Sequence, residues 1–117
     1  MQPEPRRAVA YIAARLISKR NGSSIYDFTG GGGYTHFSGT VGGSVSIFDH
    51  GAHAHVSGSS QQFYHHGTSA HISLSISGKN FSGYDHGSSS HFSGSVNQSN
   101  VTLYDHGESK HFQYLLS

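Results

Sequence analysis

The sequence predicts an all-β chain: five tandem antiparallel hairpins, closed or nearly closed into a small barrel or ring, with one N-terminal amphipathic α-helix. Three observations predict it. An aromatic-Asp-His-Gly segment recurs along the chain, alternating apolar and polar residues flank each copy, and only the first twenty residues show a helical period. Residues 1–22 therefore read as a leader and helix, and residues 23–117 as a five-repeat β domain.

Residues 1–5 read as a loose leader. From Arg6 to Arg20 there is no Gly or Pro, and Val9, Ile12, Ala13, Leu16 and Ile17 recur at three- and four-residue intervals, one face of an amphipathic helix. Asn21-Gly22 is a stop signal, and Lys19 and Arg20 suit the negative end of the helix dipole. The expected placement is a cap laid over an end or face of the β-assembly. In the alternative, Arg6, Arg7, Arg15, Lys19 and Arg20 draw residues 6–20 to an anionic membrane surface or a protein partner. Arg15 interrupts the apolar run too early for a secretory signal, and no stretch reaches bilayer length. The expected location is the cytoplasm, peripheral to the membrane if the helix is interfacial.

The repeats start at Tyr26, Phe48, Tyr64, Tyr84 and Tyr104, in steps of 22, 16, 20 and 20 residues. Before each ring runs an alternating segment such as Val101-Thr102-Leu103-Tyr104, the pattern of a half-buried strand. Asp27, Asp49, Asp85 and Asp105 have side chains that bond their own turn backbone, and Gly51, Gly67, Gly87 and Gly107 permit positive φ, so the motif reads as a reversal. A second alternating segment follows. One hairpin has no second layer and is marginal in water. Five pool their apolar faces, and closure removes exposed edges. Solenoid rungs tolerate little change in length, so the varying steps favour hairpins. The first repeat is stretched by Gly30-Gly31-Gly32-Gly33, read as loop lengthening because no Lys-Ser or Lys-Thr follows as in a phosphate loop.

The chain has 117 residues, no cysteine and only 11% charged residues. That suits one domain without disulfides or thiolate chemistry. Net charge is +1 and five of the seven Lys and Arg lie in the first twenty positions, so the β-part is no phosphate-tracking surface and nucleic acid is not an expected partner.

Tyr26-Asp27-Phe28-Thr29-Gly30, Phe48-Asp49-His50-Gly51, Tyr84-Asp85-His86-Gly87 and Tyr104-Asp105-His106-Gly107 resemble the four-fold β-flower proteins, small β-domains built from tandem Tyr-Asp-x-x-Gly hairpins around a shallow barrel-like ring. The resemblance covers roughly residues 24–116. This chain has five copies, mostly places Gly directly after Asp-His, and has His65 in place of the third Asp. The resemblance implies the fold and no catalytic residues or cofactor; by analogy of shape it suggests a lipid-binding role.

Eleven histidines divide into turn residues His50, His66, His86 and His106, strand residues His36, His55, His71, His91 and His111, and the extra His53 and His65. In a structural account the strand histidines bond the motif Asp or a turn carbonyl of their own hairpin. In a metal account they converge on Zn2+, Ni2+ or Cu2+. In a third they sense pH. No nucleophile elbow, His-Glu-x-x-His or Rossmann fingerprint is present, so an enzyme is not expected. The functional expectation is a non-enzymatic structural or binding module without a cofactor, associated with lipid or a membrane surface through its helix; the alternative is a histidine-based metal-binding or pH-sensing protein.

Overall fold

The computed structural model describes residues 1–29 and 32–117; Gly30 and Gly31 of the glycine run lie outside the described residues. Helix α1 spans Pro3–Ser18. Ten strands follow: β1 Ser24–Asp27, β2 Tyr34–Val41, β3 Ser44–Asp49, β4 Ala54–Ser59, β5 Gln62–His65, β6 Ala70–Ser77, β7 Asn80–Asp85, β8 Ser90–Asn97, β9 Asn100–Asp105 and β10 Lys110–Leu116. Each pairs antiparallel with its neighbours in the chain, and β1 closes on β10 to complete a barrel. Apolar residues alternate inward along every strand, as Ile47, Val56, Ile72, Phe92 and Leu103 do, so closure leaves no sheet edge in water.

Ten strands spaced about 4.8 Å apart and tilted about 40° enclose a backbone cylinder about 20 Å across. Eight strands make a barrel that side chains alone can fill; ten leave room along the axis. Helix α1 occupies it. Every residue from Ala8 to Ala14 is at most 1% exposed, and the helix touches β1, β2, β6, β8, β9 and β10. This corrects the expected cap on an end or face. The helix is the axis of the core, and a helix buried on all sides must be apolar or small on all sides; Ala8, Ala10, Tyr11 and Ala14 supply that outside the Val9, Ile12, Ala13 stripe.

The wall makes room for its own inward rings by omitting side chains opposite them. Gly83 and Gly94 face inward and pair with Phe92 and Phe81 on the adjoining strand, whose rings occupy the space a Cβ would need. Tyr11 of α1 stacks on Phe37 of β2, centroids 4.4 Å apart. The helix also begins earlier than expected. Pro3 and Pro5 fall in its first turn, where a missing N–H leaves no bond unmade, and Met1 and Pro5 are buried while Gln2 and Pro3 are exposed, so the supposed leader is ordered at the barrel mouth.

At that mouth Asp27, Asp49, Asp85 and Asp105 all turn inward and are buried. Asp27 accepts the Thr29 amide, Asp49 that of Ala52, Asp85 that of Gly87, and Asp105 those of Gly107 and Glu108. The motif carboxylates thus close their turns and also surround the positive end of α1, which they complement. Asp105 receives the Arg6 guanidinium at 3.1 Å and the Met1 amino group at 3.1 Å.

The motif glycines have a different purpose from the one expected. Positive φ falls on His53, Ser69, Ser89 and Ser109 and not on Gly51, Gly67, Gly87 or Gly107. A Cβ on Gly67 would lie 2.8 Å from Cβ of Ala54, and one on Gly87 would lie 2.8 Å from Cβ of Ala70. Gly51 meets Thr35 and Gly107 meets Ser90 in the same way. Close packing of one turn against the preceding repeat excludes a side chain there.

Candidate functional site: the histidine and aromatic belt

Because successive strand residues point to opposite faces, an inward Asp makes the ring before it point outward. Phe48, Tyr64, Tyr84 and Tyr104 therefore stand on the outer wall. Each pairs in register with a strand histidine on the next strand, His55, His71, His91 and His111, and with a serine on the preceding strand, Ser38, Ser57, Ser73 and Ser93. The turn histidine two residues on from the ring shares its parity and folds back over it.

The contacts recur four times. His50 and His55 flank Phe48 at 4.9 and 5.0 Å between centroids, and His66 and His71 flank Tyr64 at 4.7 and 4.4 Å. His86 and His91 flank Tyr84 at 4.7 and 4.6 Å, and His106 and His111 flank Tyr104 at the same distances. Nε2 of each turn histidine reaches the serine: His50 to Ser38 at 2.9 Å, His66 to Ser57 at 3.1 Å, His86 to Ser73 at 3.2 Å and His106 to Ser93 at 3.4 Å. The result is a belt of four ring-and-imidazole boxes, each closed by a hydroxyl.

Shallow grooves open beside the last two boxes. One is lined by Ser73, Ser82, Tyr84 and His91, the other by Ser93, Thr102, Tyr104 and His111. These are the same positions twenty residues apart. Neither groove is lined by a Lys, Arg, Asp or Glu.

The strand histidines lie on the opposite face of the wall from the buried motif carboxylates, which removes the Asp contact, one of the two partners the structural account allowed them. Nor do they converge: among the described residues no group of three or more His, Cys, Asp or Glu is placed to hold a metal ion. His36 is exposed and has a divided position. Toward β3 it stands where the other strand histidines stand, since Ser38 pairs with Phe48. Toward β1 the partner of Tyr26 is Tyr34, and His36 faces Ser24. In this first repeat Phe28 and Tyr34 replace the two imidazoles, 4.8 and 4.9 Å from the Tyr26 ring.

His65 alone among the histidines is buried and meets a motif carboxylate. It replaces the missing Asp. Nδ1 accepts the Thr68 amide at 3.3 Å, which leaves the proton on Nε2 to be donated to Asp49 at 3.1 Å. Thr68 Oγ1 is also 3.2 Å from Nδ1, so Thr68, His65 and Asp49 have the atoms of a catalytic triad. The next repeat makes the equivalent contact from Ser88 to Asp85 at 3.1 Å, which marks the arrangement as turn closure.

The basic residues of the helical segment are largely engaged within the fold. Arg6 is buried, with Nε 3.2 Å from the Tyr114 hydroxyl and its guanidinium 3.6 Å over Phe112. Arg15 bonds the Tyr11 hydroxyl at 2.6 Å and the Gly22 carbonyl at 3.2 Å. Arg7 lies 4.0 Å from Glu4. Lys19 and Arg20 are the exposed members of the set, and Arg20 donates to Ser99 Oγ at 2.9 Å. The apolar face an interfacial helix needs is inside the barrel, and no described helix is long and apolar enough to cross a membrane. The axial helix likewise fills the space an acyl chain would take. Burial, reinforced by Asp27 and opposed by Arg6, pushes the Tyr114 phenol up to about 12.

Parity and spacing could have located the belt from sequence, since ring, ring plus two, ring plus seven and ring plus nine share one face of a hairpin. No protein-family model, curated protein or solved structure matches this chain.

Proposed function

We propose that the chain is a non-enzymatic binding module, five copies of one hairpin unit around an axial helix, whose ligand face is the outer belt. The observation that carries this reading is the groove at Tyr84, echoed at Tyr104, where Ser93, Thr102, Tyr104 and His111 stand twenty residues on from Ser73, Ser82, Tyr84 and His91. Core packing does not require it, because the belt residues point away from the core. Repeated shallow grooves with aromatic walls and polar rims suit a ligand that spans several of them.

Amide and imidazole NMR shifts test the reading. The labelled protein is titrated with neutral polysaccharides, heparin, acidic and basic peptides, and phosphatidylglycerol vesicles. Perturbations centred on Tyr84, His91, Tyr104 and His111 are expected for the ligand class recognised. Perturbations confined to Lys19 and Arg20, or to the mouth around Asp85, would place binding elsewhere and overturn it, as would a belt silent to every probe.

A further inference from the structure

Resting on the belt as the binding face, we infer that it takes a neutral saccharide chain, anchored at the three-ring platform of Tyr26, Phe28 and Tyr34. The first repeat is where the belt breaks its own pattern. Tyr26 is half-buried, as Tyr64, Tyr84 and Tyr104 are, but the positions that carry exposed imidazoles in the other repeats here carry Phe28 and Tyr34, at 70° and 63° to the Tyr26 ring and 57% and 61% exposed, so apolar ring surface replaces polar. The displaced register of β1 adds to the difference. Tyr26 pairs with Leu115 of β10, where the other rings pair with a serine.

A sugar ring presents an apolar C–H face and a rim of hydroxyls. The platform offers open aromatic faces for the first. The grooves offer the second its partners: Ser73, Ser82, Ser93 and Thr102 hydroxyls, and imidazoles that both donate and accept when neutral. Charge selects among polymers. The grooves contain no Lys or Arg to neutralise sulfate, uronate or phosphate, and the chain as a whole carries only +1, so an anionic chain would lose solvation without gaining a counter-ion. Weak grooves in series on successive hairpins match a polymer of repeating units, whose subsites add through effective concentration.

Affinity electrophoresis at pH 7.5 in gels containing dextran, galactomannan, xylan or hydroxyethylcellulose tests the inference, with a heparin gel alongside. Retardation in at least one neutral gel is expected. Phe28→Ala with Tyr34→Ala should weaken it about tenfold or more, the effect of losing an aromatic anchor, and Tyr104→Ser less. Both variants alter outward residues, and far-UV circular dichroism checks that the fold persists. No retardation in any neutral gel overturns the inference, and so does retardation that survives Phe28→Ala with Tyr34→Ala. Retardation by heparin alone, lost in Tyr104→Ser, keeps the belt as the binding face and overturns the choice of a neutral chain. Dimerisation in sedimentation, abolished by the platform variant, assigns the rings to a second copy and also overturns it.

Discussion

Replacing Arg6 with methionine keeps the bulk of the side chain inside the barrel mouth and removes its charge. The guanidinium is 3.1 Å from Asp105 Oδ2 and 3.1 Å from the Met1 carbonyl, with Nε 3.2 Å from the Tyr114 hydroxyl. Asp105 is fully buried, and breaking such a pair from one side costs about 3–5 kcal/mol. The Met1 amino group still lies 3.1 Å from Asp105, which places the expected loss near the lower end, about 3 kcal/mol of a stability on the order of 5–15. Asp105→Asn retains an oxygen for the Gly107 and Glu108 amides. The double variant should therefore lose about 2 kcal/mol less than the two singles together, within the usual range of coupling for residues in contact. Urea unfolding followed by far-UV circular dichroism measures all four corners of the cycle. A loss under about 1 kcal/mol for Arg6→Met, or losses that add to within about 0.5 kcal/mol, would refute the axial placement of α1, because a helix lying outside the barrel keeps Arg6 in water.

Three further outcomes follow from the same geometry. His65→Asp restores the repeat consensus yet should destabilise the fold by about 3 kcal/mol at pH 7, since it sets two buried carboxylates side by side at Asp49; the deficit should shrink at pH 5 as one takes a proton, and a neutral or stabilising result in urea unfolding would refute the pairing. Tyr114, held up to about 12 by burial, keeps its proton in the fold at pH values where the unfolded chain loses it. Its contribution is complete below pH 10 and is lost as pH climbs from 10 toward 12, up to about 2.7 kcal/mol; Tyr114→Phe should flatten that alkaline slope, and an unchanged slope would count against it. Gly87→Ala should cost about 1–3 kcal/mol through its contact with Ala70, and Ala70→Gly in the same chain should recover most of it; failure of the second change to help would point to backbone strain instead.

Much of the belt was within reach of the sequence. Period-two alternation determined which residues share a face, so the parity of Tyr84, His86, His91 and Ser93 already set them together and set Asp85 apart from them. The recurrence of the motif determined that the apolar faces had to be pooled, which made closure of an all-β chain the expected outcome. What no local pattern contained was the diameter of the closed ring. Ten strands leave an axial space, and only the tertiary structure decided that residues 3–18 fill it, that inward glycines make room for the Phe81 and Phe92 rings beside it, and that the buried carboxylates at the mouth meet its positive end. Amphipathic periodicity marks a helix with one apolar face; it is silent on whether the opposite face, here built of alanines, is small enough to be enclosed. The two-residue displacement of β1 was hidden for a related reason: strand register is settled where the first strand meets the last, and that contact joins residues 91 apart in the chain, Ile25 with Leu116.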